Sequence, residues 1–135
     1  MGTTAINDMD YRFKNVAMEF LARLTESHIP VAIINVLRTP EEQADNLAKG
    51  VSWTSKSLHL PQPPDGRSLA MDICPYAQFE IHGANKLQWD ASDPVWDKIG
   101  NLAESLGLRW GGRWQQRDMG HVEWVPLADR SLGRV

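Results

Sequence analysis

Apolar side chains recur at helical spacing in two parts of the chain. Between residues 11 and 25 they fall three or four positions apart, with Asp8 and Asp10 ahead of them as candidate N-caps. The members of this first stripe are Phe13, Val16, Ala17, Phe20, Leu21 and Leu24. A second stripe begins after Asp93-Pro94 and closes at Gly107, and it consists of Trp96, Ile99, Ala103 and Leu106. Both stripes predict amphipathic scaffold helices.

Short β-branched or alternating runs predict strands between and after these helices. Val31 to Leu37 is typical of a buried strand, and Leu69 to Cys74 alternates with period two, which places Ala70, Asp72 and Cys74 on one face. Leu108 to Trp110 and Val122 to Val125 are two further candidates. These four runs predict one small sheet.

A further helix is predicted immediately after the first strand. Thr39 and Glu42 form a capping-box pattern with Pro40 at the first helical position, so the helix should run to about Ala48 and stop at Gly50. The stretch from 51 to 68 has too many prolines, serines and threonines for regular structure. Strands interleaved with helices predict an α+β domain, with a small antiparallel sheet and flanking helices.

Length and charge narrow the class of protein. The 135 residues are expected to form a single domain, 1–135, with a core from about 8 to 126 and a short polar C-terminal tail. A net charge of -3 argues against binding nucleic acid by bulk charge, and no apolar run suggests membrane insertion. The start of the chain lacks the features of a signal peptide, and the single cysteine, Cys74, fits synthesis in the cytoplasm. We expect a monomer.

Two of the four histidines are accompanied by carboxylates in a pattern that predicts a metal site. His59 is followed by Asp72, and His121 is preceded by Asp118. Two imidazoles and one carboxylate, with a fourth position open, are the ligands of a catalytic zinc site, and the remaining carboxylate could then act as a base. The histidines at positions 28 and 82 lack such a pattern and are interpreted as ordinary polar residues.

Asp72 lies inside an apolar strand, where a carboxylate is costly to bury unless it is paired or bound to metal. A salt bridge to Arg67 or Arg113 is the alternative to a metal. Glu123 should share a strand face with His121 and could hold the imidazole's other nitrogen. Spacing alone leaves open whether Asp118 or Glu123 is the base.

The motifs Ser57-x-His59, Ala70-x-Asp72 and Asp118-x-x-His121-x-Glu123, with Leu37 to Gln43 upstream, resemble the M15 family of zinc peptidases. The resemblance implies a fold like that of the D-Ala-D-Ala peptidases and Hedgehog domains, and one Zn²⁺ per chain. It places the zinc ligands on His59, Asp72 and His121, the catalytic carboxylate on Asp118 and a substrate-facing arginine on Arg38. Ser57 would fix its loop or bind substrate, and Gln43 would either contact substrate or be a surface glutamine.

The function that this resemblance implies is hydrolysis of the peptidoglycan stem peptide, most closely as an L-alanyl-D-glutamate endopeptidase acting as a phage endolysin. Such an enzyme would be made in the cytoplasm and act on the cell wall after release. The alternatives are a D-Ala-D-Ala carboxypeptidase or dipeptidase, a non-catalytic zinc-bearing binding module and a metal-free wall-binding domain. The chain departs from the family in its twelve residues between His59 and Asp72, so we expect Leu60 to Ser68 to form a surface loop beside the cleft.

Overall fold

The computed structural model describes residues 2–49, 57–76 and 87–126, and these form three α-helices beside a four-stranded sheet. The helices are α1 (Tyr11–Glu26), α2 (Pro40–Ala48) and α3 (Val95–Ser105). The strands are β1 (Val31–Asn35), β2 (Ala70–Pro75), β3 (Arg109–Trp110) and β4 (His121–Glu123). Their order in the sheet is β1-β2-β4-β3, and every neighbouring pair is antiparallel. The predicted α+β class with a small antiparallel sheet is confirmed.

Helix ends lie where the capping residues predict them. The Asp10 carboxylate accepts a hydrogen bond from the Arg12 backbone N–H at 2.9 Å and so caps α1. At α2 the capping box is complete, because the Thr39 hydroxyl accepts from the Glu42 N–H while the Glu42 carboxylate accepts from the Thr39 N–H. The expected stop at Gly50 lies outside the described residues, and Lys49 is the C-cap of α2.

The core lies between α1, α3 and one face of the sheet. The buried side chains come from both predicted helical stripes and from Met71, Ile73 and Val122 of the central strands. Since Met71 and Ile73 enter the core, Asp72 between them turns to the opposite face. Trp110 is clamped between Gly100 and Gly112, where a Cβ would lie 2.2 Å from the indole in either case. The core thus supports the two strands, β2 and β4, that carry site residues.

Two strands differ from their predictions, and the smaller difference is in β4, which covers His121–Glu123 rather than Val122 to Val125. β1 ends at Asn35 rather than Leu37, and most of it is only half-buried, whereas the sequence predicted a buried strand. The reason is its place at the edge of the sheet, where it pairs with β2 alone among the described strands and has an irregular register between Ile33 and Asn35. Its β-branched composition is the same as that of a central strand, so composition did not reveal the edge.

The long loop after His59 lies on the surface, as predicted, from Pro61 to Arg67, while Ser68 is buried. It closes on itself, because the Gln62 N–H donates to the Arg67 carbonyl at 3.0 Å. Arg12 Nη2 donates to the Pro63 carbonyl at 2.9 Å and ties the loop to the start of α1. None of the helices in the described ranges has the length and apolar character needed to cross a membrane.

Candidate metal centre

Strand pairing brings two of the candidate ligands, Asp72 and His121, together. In the register of β2 and β4, Asp72 is directly opposite His121. Gly120 precedes His121 and makes this approach possible, since a Cβ there would lie 2.3 Å from the Ile73 carbonyl oxygen. The antiparallel pair therefore places a carboxylate and an imidazole, 49 positions apart in sequence, side by side.

His59 is held by three hydrogen bonds around its loop. Its backbone N–H donates to Ser57 Oγ at 3.1 Å, its carbonyl accepts from the Arg38 N–H at 2.8 Å, and its Nδ1 lies 2.8 Å from the Val36 carbonyl. A carbonyl only accepts, so Nδ1 carries the proton in the neutral imidazole. The lone pair is therefore on Nε2. Ser57 is placed to fix the loop, which is one of its two predicted roles.

Three ligand atoms converge at one point. Asp72 Oδ1 lies 3.1 Å from His59 Nε2 and 3.1 Å from His121 Nδ1, and all three atoms lie within 4.8 Å of one another. Ligands about 2.0–2.2 Å from one metal ion are separated from each other by roughly 3–3.5 Å. His59 Nε2 is buried and has no hydrogen-bond partner among the described residues. A buried lone pair facing a carboxylate oxygen fits a cation between them.

The ionisation of the site follows from its charges. Burial acts to raise the pKa of Asp72, but the nearby imidazoles of His59 and His121 outweigh it and hold this pKa well below its usual range. Burial acts to lower the pKa of His121, but its bonds to Asp72 and Glu123 raise it to about 10. In the absence of a metal ion these contacts therefore favour the protonated, positively charged form of His121.

Glu123 supports His121 from the far side of the ring. Its Oε1 lies 2.7 Å from His121 Nε2, whereas the candidate ligand atom is Nδ1. Glu123 is almost fully buried, and Trp114 packs against the same imidazole with 4.8 Å between ring centroids. Glu123 therefore lies beside the second ring nitrogen of His121, the position in which the sequence analysis expected it. His59 and His121 thus present opposite ring nitrogens to the site.

Asp118 enters the site through a turn. The His121 N–H donates to the Asp118 carbonyl at 3.2 Å, and the Asp118 N–H donates to the Gly111 carbonyl at 3.0 Å. Gly111 is required because a Cβ there would lie 2.5 Å from the Asp118 carbonyl oxygen and 3.0 Å from His121 Cβ. Burial and the adjacent Asp72 charge raise the pKa of Asp118, although His121, His59 and Arg38 act against them. Asp118 therefore belongs electrostatically to the metal centre.

Arg38 is the arginine near Asp72, and neither of the two that the sequence suggested takes this place. Its Nη2 lies 3.7 Å from Asp72 Oδ2, and its Nη1 donates to Gln43 Oε1. Arg113 pairs instead with Glu104 at 3.0 Å. Gln43 is 2 % exposed, so its interpretation as a surface glutamine is wrong. The amide orients the guanidinium from the first turn of α2.

Cys74 is not among the convergent ligands. It is a buried free thiol whose Sγ is 3.3 Å from the Gln88 carbonyl, and burial raises its pKa to about 11. His82 lies outside the described residues. A groove of about 800 Å³ lies at the opposite end of the β1–β2 pair and has no carboxylate in its lining, which is Leu21, Thr25, His28, Ile29, Pro30, Val31, Ile33 and Tyr76. We assign the chemistry to the convergent ligands because this groove lacks ionised ligands.

Comparison with known proteins places this geometry in a family. Residues 4–125 match the family model described as phage L-alanyl-D-glutamate peptidase. The chain belongs to this family. The matched range includes the three convergent ligands as well as Asp118 and Arg38. The predicted resemblance to peptidoglycan peptidases is thereby confirmed.

Two relatives of this family member show how far the similarity extends. The L-alanyl-D-glutamate peptidase of Listeria phage A118 is 32% identical over 111 residues, which is 81% of this chain. The chain spans only 35% of the length of that relative. The crystal structure of Serratia marcescens L-Ala D-Glu endopeptidase ChiX superposes with a TM-score of 0.64 and 22% identity, covering 93% of this chain and 90% of the other. That likeness establishes the shared fold.

Proposed function

We propose that this chain is a zinc-dependent L-alanyl-D-glutamate endopeptidase that cleaves the stem peptide of peptidoglycan and serves as a phage endolysin. Family membership supports the substrate class. The observation that carries the proposal is the convergence of His59 Nε2, Asp72 Oδ1 and His121 Nδ1, with His59 Nε2 buried and unpaired among the described residues. Two imidazoles and one carboxylate suit zinc and leave a position for the reaction.

One zinc ion per chain fits this donor set. Magnesium and calcium prefer sites built from oxygen ligands, and neutral imidazole is a poor ligand for them. When bound, zinc supplies Lewis-acid chemistry, polarising a carbonyl group and making water more acidic. His59 and His121 would hold it through opposite ring nitrogens, each fixed by a hydrogen bond on the other side of its ring.

Asp118 is the best candidate for the general base. It is not one of the three convergent ligands, and its raised pKa brings the carboxylate closer to the neutral range in which a base works well. Glu123 fits that role poorly, because its Oε1 contacts His121 Nε2 on the far side of the ring and only 1% of its surface is exposed. Position and burial therefore favour Asp118 over Glu123 as the base, a choice that spacing alone left open.

The reaction then divides among this chain's own residues. Asp118 takes a proton from the attacking water as the water oxygen bonds to the carbonyl carbon of L-Ala. The same proton passes to the nitrogen of D-Glu as the amide C–N bond breaks. Arg38 faces the site from beside Asp72 and stabilises either the developing oxyanion or a substrate carboxylate, while Gln43 orients its guanidinium.

Mass analysis of the fragments released from purified peptidoglycan tests this function. Zinc-loaded protein should expose new N-terminal D-Glu, and Asp118→Asn should retain zinc while lowering the rate by about 10²–10⁴-fold. Asp97→Asn is the matched control, since Asp97 is exposed on α3. Release of terminal D-Ala would indicate a carboxypeptidase or dipeptidase, and zinc binding without cleavage would indicate a binding module.

The place of action is part of the same proposal. The enzyme would be made in the cytoplasm, act on the cell wall after release and work as a monomer. The candidate ligands and Asp118 come together within one chain, so the proposed site needs no second copy to complete it.

A further inference from the structure

Glu123 has a second charged neighbour besides His121. In the register of β3 and β4, Arg109 is directly opposite Glu123, and Arg109 Nε lies 3.7 Å from Glu123 Oε2. The other carboxylate oxygen, Oε1, is the one at 2.7 Å from His121 Nε2. The carboxylate therefore bridges a guanidinium and the imidazole of a candidate metal ligand.

This bridge is buried, so the loss of Arg109 would leave the Glu123 carboxylate in an unfavourable environment. The Glu123 side chain is 1% exposed and that of Arg109 is 15% exposed, so the pair is largely removed from water. A buried carboxylate without a nearby cation is costly, and it would relieve that cost by rotating towards water. That rotation would weaken its hold on His121.

We propose that Arg109 is a positioning residue for the metal centre. Arg109 fixes the ionised Glu123 carboxylate so that Oε1 faces His121 Nε2. The contact holds the His121 ring so that Nε2 faces Glu123 and Nδ1 faces the site beside Asp72. This inference rests on the proposed metal centre, and it adds a residue outside the motifs that the sequence offered.

Arg113 provides a matched control. It is also an arginine, three positions after β3, and it lies over the Trp110 ring and pairs with Glu104 at the surface. Arg113→Met removes the same charge as Arg109→Met without touching Glu123. A difference between these two variants is therefore specific to the contact with Glu123 and is not an effect of net charge.

The first readout does not depend on metal. Proton NMR of the metal-free wild type should show a downfield, slowly exchanging imidazole N–H that disappears in His121→Ala. Arg109→Met should shift or broaden this resonance, Arg109→Lys should retain it in part, and Arg113→Met should leave it unchanged. A resonance identical in wild type and in folded Arg109→Met overturns the proposal. If Arg109→Met does not fold, Arg109→Lys decides by the same criterion.

The second readout is zinc affinity, measured by competition with a chelator. Loss of a group that orients a metal ligand typically costs 10–100-fold, so Arg109→Met should bind zinc about 10-fold more weakly, with Arg113→Met unchanged. In a Glu123→Gln background, Arg109→Met should cause no further loss, because both act through one carboxylate. Additive losses would show that Arg109 acts independently of Glu123 and would overturn the proposal. If the wild type binds no zinc, the proposed function fails while the resonance still decides the role of Arg109.

Discussion

Zinc binding should release about one proton per chain near neutral pH, and His121 is its source. In the metal-free structure His121 lies between Asp72 at 3.1 Å and Glu123 at 2.7 Å, and these contacts raise its pKa to about 10 against the effect of burial. At pH 7 the imidazole is then protonated on both nitrogens. A metal ion at Nδ1 must displace that proton, while the proton on Nε2 stays with Glu123.

The size of the effect follows from the distance between the pKa and the working pH. A pKa about three units above pH 7 makes the proton a competitor worth about 4 kcal/mol, since each unit is about 1.4 kcal/mol. Apparent zinc affinity should therefore rise about tenfold per pH unit between pH 7 and 9. The stability of the metal-free fold changes with pH in the opposite direction. Because the folded pKa lies above the unfolded value near 6.5, the stabilisation from His121 is complete below about pH 6.5 and is lost as the pH rises towards 10.

Titration calorimetry in buffers of different ionisation enthalpy measures the released protons directly. We expect close to one proton per zinc at pH 7.5 in the wild type, and denaturation of the metal-free protein should show a free energy of unfolding that falls between pH 7 and 10. Zinc uptake without proton release, together with an affinity that is flat over this range, would refute the assignment of a protonated His121 to the metal-free site.

Two other predictions concern residues around the centre. Gln43→Met should leave zinc affinity unchanged but lower kcat/KM on peptidoglycan about 10-fold, because Arg38 loses the amide that orients it; unchanged kinetics would remove Gln43 from the site. Asp10→Ala should lower the free energy of unfolding at pH 7 by about 1–3 kcal/mol in urea denaturation, since the carboxylate caps α1 and accepts three bonds of 2.9 Å from Arg12. The hydrogen bonds from Arg12 lower the pKa of Asp10, so the stabilisation that Asp10 provides is present above about pH 4 and is lost as the pH falls further. Equal stability of wild type and variant at pH 7 would contradict this role.

The predictable part of the fold was the part set by local sequence. Helix α2 was expected from Thr39, Pro40 and Glu42, whose capping contacts involve only neighbours in sequence, and its bounds agree with the structure. The two apolar stripes predicted α1 and α3 for the same reason. Strand β1 was expected to be buried and is an edge strand, since strand order depends on pairing partners far along the chain.

The residues of the candidate site likewise fall into those that could be predicted from sequence and those that could not. The candidate ligands could be chosen from sequence because two histidines were each accompanied by a carboxylate, in motifs that resemble those of the M15 family. Strand alternation predicted Glu123 beside His121, but the partners of Asp72 could not be chosen. Arg38 reaches Asp72 from beyond the end of β1, and Gln43 meets Arg38 only once α2 has folded back. The signal for Gln43 was its place four residues before Leu47, on the side of α2 that faces the protein. The pairing of Arg109 with Glu123 depends on strand register, which the sequence does not state.

Zinc content of the purified protein tests the central claim most directly. Elemental analysis should show about one zinc per chain in the wild type, and His59→Ala, Asp72→Ala and His121→Ala should each lose it. His28→Asn is the control, because His28 is exposed at the end of α1 with φ 61°, a backbone conformation that asparagine tolerates. Full zinc occupancy in any one of the three ligand variants would contradict the centre described above.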